Sequence, residues 1–118
     1  MISKLVLNEG IIEKIKTEEV SRICELMGED IVEIILYGSC ARGDYSDDSD
    51  IDIALLTRSD RMKAKKYNNG LAAIATDMAM KYFAVVNFVC LPFDEYMEKV
   101  SWYEYFRNIR EEGEILYG

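Results

Sequence analysis

The chain has 118 residues, half of them apolar and 31% charged, a size and balance that suit one globular domain with its own core. Its 22 Asp plus Glu outweigh 14 Lys plus Arg for a formal net charge of −8, which disfavours a protein built to track nucleic acid. His is absent, so Ser-His and Cys-His nucleophiles, HExxH zinc sites and imidazole acid–base catalysis are excluded, and any chemistry falls to carboxylates and hard metal ions.

From about residue 9 to 28 the spacing predicts helix, in one or two pieces. Ile11, Ile12 and Ile15 share an apolar face that Val20, Ile23, Cys24 and Met27 continue. Thr17 would cap a second piece, with Glu18 and Glu19 in its first turn, and Gly28 ends it. Ile31 to Tyr37 (IVEIILY) is apolar and β-branched, the pattern of a buried strand. A polar, turn-forming stretch, Gly38 to Ser49, leads to a second strand, Asp50 to Leu56. A long helix is expected from Ser59 or Asp60 to about Tyr82, with Tyr67, Leu71, Ile74, Met78 and Tyr82 on its apolar face. Ala84 to Leu91 reads as a third strand stopped by Pro92. Two helices should follow, from Phe93 to Val100 and from Trp102 to Glu112, the second packing Trp102, Phe106 and Ile109 and capped by Gly113. Tyr103 and Tyr105 fall off that face, and Tyr117 reads as an apolar anchor. The order predicts a mixed α/β fold, a small sheet flanked by helices, in a single domain 1–118 with a core of about 20–91 and a helical extension over 93–118.

Three cysteines, Cys24, Cys40 and Cys90, are odd in number and widely spaced, so no disulfide framework is expected, and Cys24 and Cys90 read as buried thiols. No cationic opening followed by an apolar run marks a targeting segment, and no apolar run approaches the roughly 20 residues of a membrane span. The expected location is cytoplasmic, with no membrane partner.

Five Asp fall between residues 44 and 52: Asp44, Asp47, Asp48, Asp50 and Asp52. Charge runs are mostly solvated surface, but strand periodicity separates two of these from the rest. Asp50 and Asp52 project from one face while Ile51 and Ile53 enter the core. Carboxylates fixed on a strand cannot move apart, and a divalent cation relieves their repulsion. A calcium loop starting at Asp48 fails, because Ile53 stands where Gly is needed and Ser59 where Glu is needed. Gly38 and Ser39, directly after the first strand, offer close backbone approach, a hydroxyl and N–H groups to an anion. Cys40 has no His to activate it, so no catalytic thiol is expected.

Gly38-Ser39, ten intervening residues, then Asp50-Ile51-Asp52 within YGSCARGDYSDDSDIDIALL resembles the signature of polymerase-beta-type nucleotidyltransferases. Arg42 and Gly43 match the GSxARG form of that loop, and the small size is similar to the minimal class, the MNT proteins paired with HEPN partners in toxin–antitoxin modules. The resemblance implies a polymerase-beta-type nucleotidyltransferase fold, ATP as the expected nucleotide, and two Mg²⁺ ions on Asp50 and Asp52. It also implies phosphate binding by Gly38, Ser39 and Arg42, although a surface role for Arg42 fits equally. Transfer of a nucleoside monophosphate to a hydroxyl of a HEPN-type protein partner would follow, and self-association is compatible with it. One residue departs from the pattern: Asn87 is the only polar residue of the third strand, where such enzymes place a third carboxylate. Asn is uncharged and a poor base. Asp77, the nearest carboxylate in sequence, is expected to face solvent. A catalytically weakened module that neutralises its partner by contact is therefore an alternative, and transfer to a small-molecule, antibiotic-type hydroxyl is a second.

Overall fold

The computed structural model describes residues 7–118. Helix α1, Glu9–Met27, opens where the Asn8 side chain accepts the Ile11 N–H at 3.0 Å. It runs unbroken through Thr17, whose hydroxyl donates back to the Glu13 carbonyl at 3.1 Å, so the expected second cap does not form. Its buried stripe is Ile12, Ile15, Glu19, Ile23 and Met27, which places Glu19 inside the protein rather than in a solvated first turn. Gly28, at φ +56°, ends the helix.

Strand β1, Ile31–Tyr37, leads through Gly38 into one helical turn, α2, Ser39–Arg42. Strand β2 is Ile51–Thr57. The expected long helix is divided: α3, Arg61–Ala64, capped by the Asp60 side chain, then a 3₁₀ turn Lys65–Tyr67, then α4, Asn68–Tyr82. The tight turn coincides with Tyr67 reaching inward to donate to Asp30 at 2.7 Å, where the same carboxylate holds the Ser59 N–H at 2.7 Å. Leu71, Ile74 and Met78 form the buried face of α4 as their spacing predicts. Strand β3, Val86–Pro92, precedes α5, Phe93–Lys99, and α6, Glu104–Glu112.

The C-terminal segment departs most from expectation. The N–H groups of Trp102 and Tyr103 both close on the Lys99 carbonyl, so the chain turns at the end of α5 and α6 starts only at Glu104. Trp102 is thereby left 64% exposed, not packed with Phe106 and Ile109, which are buried. After Gly113 the chain forms strand β4, Glu114–Tyr117, instead of continuing as a helical extension, and Tyr117 is exposed rather than an anchor. Cys24 and Cys90 are half-buried free thiols and only Cys40 is buried.

Among the described residues the sheet has four strands in the order β3-β2-β1-β4, with β2 and β3 parallel and the other pairs antiparallel. One face, with Ile34, Leu36, Ile53, Leu55 and Val86, packs beneath α1 and α4. The other, with Ile35, Ala54, Leu56 and Leu91, packs beneath Tyr96 of α5 and Phe106 and Ile109 of α6. The expected mixed α/β architecture with a small sheet between helices is what forms. Among the described residues no helix is long and apolar enough to cross a membrane.

Candidate functional site

Register brings the predicted residues together at one end of the sheet. Asp52 pairs across β1 with Tyr37 and across β3 with Asn87, so all three side chains rise from one face. Asp50 lies one residue before β2. The Asn87 side-chain nitrogen donates to Asp50 Oδ2 at 3.0 Å and to Asp52 Oδ1 at 3.3 Å, so both carboxylates converge on a single donor. Asp50 and Asn87 are exposed and Asp52 is partly buried, which leaves the cluster open to a ligand.

Gly38 sits against this cluster. At φ +76° it adopts a backbone conformation that L side chains rarely take, and a Cβ there would lie 2.6 Å from Asp52 Oδ2. The Ala41 and Arg42 N–H groups close on the Gly38 carbonyl, which leaves those of Ser39 and Cys40 outside the turn's own bonds. Gly38→Ala is expected to cost at least about 1–2 kcal/mol from backbone strain alone and to push Asp52 away from Asp50. Urea unfolding checks the first effect; the second should abolish the nucleoside-triphosphate binding that the sequence resemblance implies, read by calorimetry, and unchanged binding would contradict the close approach.

Cys40 ties α2 to the start of β2 through its thiol, 3.6 Å from the Asp50 carbonyl. Burial pushes its pKa up and the Asp52 carboxylate adds to the effect, so the thiol stays protonated and unreactive. Arg42 reaches away from the cluster, to Asp44 at 3.2 Å and Glu112 at 3.3 Å, pinning the loop to the end of α6. Asp77 is exposed and paired with Arg22, far in role from the cluster. Asp48 is held by the Ser46 hydroxyl at 2.9 Å in the same loop.

Sequence reasoning missed Tyr37 and Tyr105, whose hydroxyls share a hydrogen bond of 3.0 Å beside Asp52. Burial, the Tyr105 hydroxyl and the Asp52 charge all raise the Tyr37 pKa, so it remains a neutral phenol. Only strand register, which no single strand encodes, would have placed it there.

The donor set suits a hard cation. Two carboxylates meeting at one point fit a Mg²⁺ ion that takes its remaining ligands from water and substrate phosphates. Among the described residues no group of three His, Cys, Asp or Glu side chains is placed to hold a metal. The two-ion arrangement implied by the resemblance would call for a third carboxylate, and the side chain that the structure sets against Asp50 and Asp52 is the amide of Asn87.

Comparison with known proteins gives consistent findings. A family model described as "Nucleotidyltransferase domain" matches residues 17–112. A Methanocaldococcus jannaschii relative named "Putative protein adenylyltransferase MJ0604" is 36% identical over 87 residues, 74% of this chain and 79% of that protein. Among solved structures, a toxin–antitoxin MntA-HpeT mutant matches with a TM-score of 0.59 at 18% identity, over 87% of this chain and 73% of that one. A tri-AMPylated Shewanella oneidensis HEPN toxin in complex with MNT antitoxin matches with a TM-score of 0.54 at 18% identity, over 90% of this chain and 71% of that one.

Proposed function

The chain belongs to the nucleotidyltransferase domain family, and from that premise we propose that it is an antitoxin-type member that neutralises a HEPN-type partner by contact, with its own transfer chemistry weakened. The observation that carries this reading is Asn87, a neutral amide bridging Asp50 and Asp52 where a third carboxylate would supply charge and a base. Gly38 and Ser39 would hold phosphates, Asp50 and Asp52 would hold Mg²⁺, and a bound Mg²⁺ would neutralise triphosphate charge. Arg42, turned toward Asp44 and Glu112, would act on the loop's surface. The two solved complexes of similar fold support a HEPN-type toxin as the kind of partner, and the net charge of −8 favours a protein over a nucleic acid.

A second reading keeps full activity: Mg²⁺-dependent transfer of AMP from ATP to a protein hydroxyl. The paired Asp50 and Asp52 beside Gly38, together with the name of the Methanocaldococcus relative, favour it.

Co-expression with a HEPN-type toxin, combined with α-phosphate-labelled ATP and Mg²⁺, separates the two. Contact neutralisation predicts a stable complex and growth rescue that survive Asp50→Ala with Asp52→Ala, with little label on the toxin. Rescue lost in the Asp52→Ala protein, alongside strong labelling by the wild type, would establish the second reading instead.

A further inference from the structure

Strand β3 is an edge: among the described residues it pairs only with β2. Its exposure shows this, since Asn87 is exposed and Phe88, Val89 and Cys90 are half-buried, whereas the residues of β2 other than Asp52 are all buried. The Ile51 N–H bonds the Val85 carbonyl at 2.8 Å, which fixes the phase of the parallel ladder. By that phase the backbone groups of Asn87, Val89 and Leu91 point to β2, and those of Val86, Phe88 and Cys90 point outward. No backbone bond to another segment engages these three among the described residues. Open edges of this kind are templates for an added strand.

Beside the edge runs a groove of about 310 Å³ lined by Leu71, Ala72 and Ala75 of α4 and, on the strand, by Val86 and Phe88. The small side chains of Ala72 and Ala75 leave room that a partner's apolar residues can fill. On the opposite face of the edge stand Asn87 and the Asp50–Asp52 pair. An incoming strand, about 4.8 Å from β3, alternates its side chains between these two surroundings. One set meets the alanine-lined groove; the other meets Asn87, with Asp52 behind it on the next strand, and further along meets Val89 and Leu91.

We propose that the outer edge of β3 docks an extended segment of the partner protein by strand addition, with apolar side chains toward α4 and a basic side chain beside Asn87. Charge selects this occupant: a second copy, itself at −8, would bring more negative charge to an acidic end of the edge. That the segment belongs to a protein partner rests on the reading above; the edge itself does not.

The direct probe is a hexapeptide of alternating lysine and valine, followed by amide hydrogen exchange. The amides of Val86, Phe88 and Cys90 should exchange at least tenfold more slowly with the peptide, while those of Asn87, Val89 and Leu91, already bonded to β2, should not change. A glutamate–valine hexapeptide should have no effect. Ala72→Arg, at an exposed helix position, should remove the protection without altering the circular dichroism. Protection that is absent, that falls equally on both sets of amides, or that is equal for the two peptides overturns the proposal. The same amides read in the toxin complex distinguish the two ideas. A stable complex in which they stay fast retains the partner and removes the edge, whereas peptide protection with no toxin binding does the reverse.

Discussion

Replacing Asn87 by Asp is expected to raise nucleotidyl transfer at least about tenfold and to make folding stability depend on a divalent cation. In the wild type one amide nitrogen satisfies both Asp50 and Asp52, so the carboxylates are held together without metal. An aspartate at that position removes both hydrogen bonds and adds a third negative charge at the same point. Loss of those bonds costs about 1–3 kcal/mol, and repulsion adds to it. Without Mg²⁺ the Asn87→Asp protein should therefore melt below the wild type, and Mg²⁺ should restore it while changing the wild type much less. The tenfold floor is set below the roughly 10²–10⁴ that a well-positioned base contributes, because the added carboxylate is not built into the site. Thermal melts with Mg²⁺ or a chelator, and label transfer from ATP, measure the two halves separately. A variant whose melting ignores Mg²⁺ and whose transfer matches the wild type would show that position 87 is not where the site lacks its carboxylate.

The elements of the sheet and the site were legible where local chemistry is strong. The apolar run of β1, the alternation entering β2 and the spacing of Gly38 to Asp50 and Asp52 each carry their own signal, and the structure sets these residues against one another. What a single sequence hides is register and tertiary competition. Tyr37 is an ordinary strand residue until pairing puts it opposite Asp52. Trp102 sits at helical spacing from Phe106, but a turn on the Lys99 carbonyl excludes it from the helix. Residues 114–117 are too short to announce a strand, and they become one because β1 offers a free edge. Arg42 matches a phosphate-loop pattern, yet in the fold two carboxylates hold it.

Glu19 is a different case, where a charged residue occupies a position that packing assigns to the core, and its replacement should have a large effect on stability. It lies on the buried stripe of α1 between Ile15 and Ile23, fully inaccessible, and neither carboxyl oxygen has a hydrogen-bond partner among the described residues. Burial pushes its pKa up to about 8 from 4.5, with Arg22 opposing and Glu18 reinforcing the shift. The folded state therefore holds a proton that the unfolded chain releases. This stabilisation is complete below about pH 4.5 and is lost as pH rises toward about 8, at about 1.4 kcal/mol per pH unit and on the order of 5 kcal/mol in all. Glu19→Gln, which cannot ionise, should flatten that dependence in urea unfolding compared at about pH 5 and about pH 9. Glu19→Met should flatten it as well and stand about 1–3 kcal/mol above Glu19→Gln at every pH, because no unpartnered polar atom remains buried. A wild type as stable at high pH as at low would mean that this carboxyl reaches water or a partner in solution. A Met variant no more stable than the Gln variant would mean that α1 already shifts to solvate it.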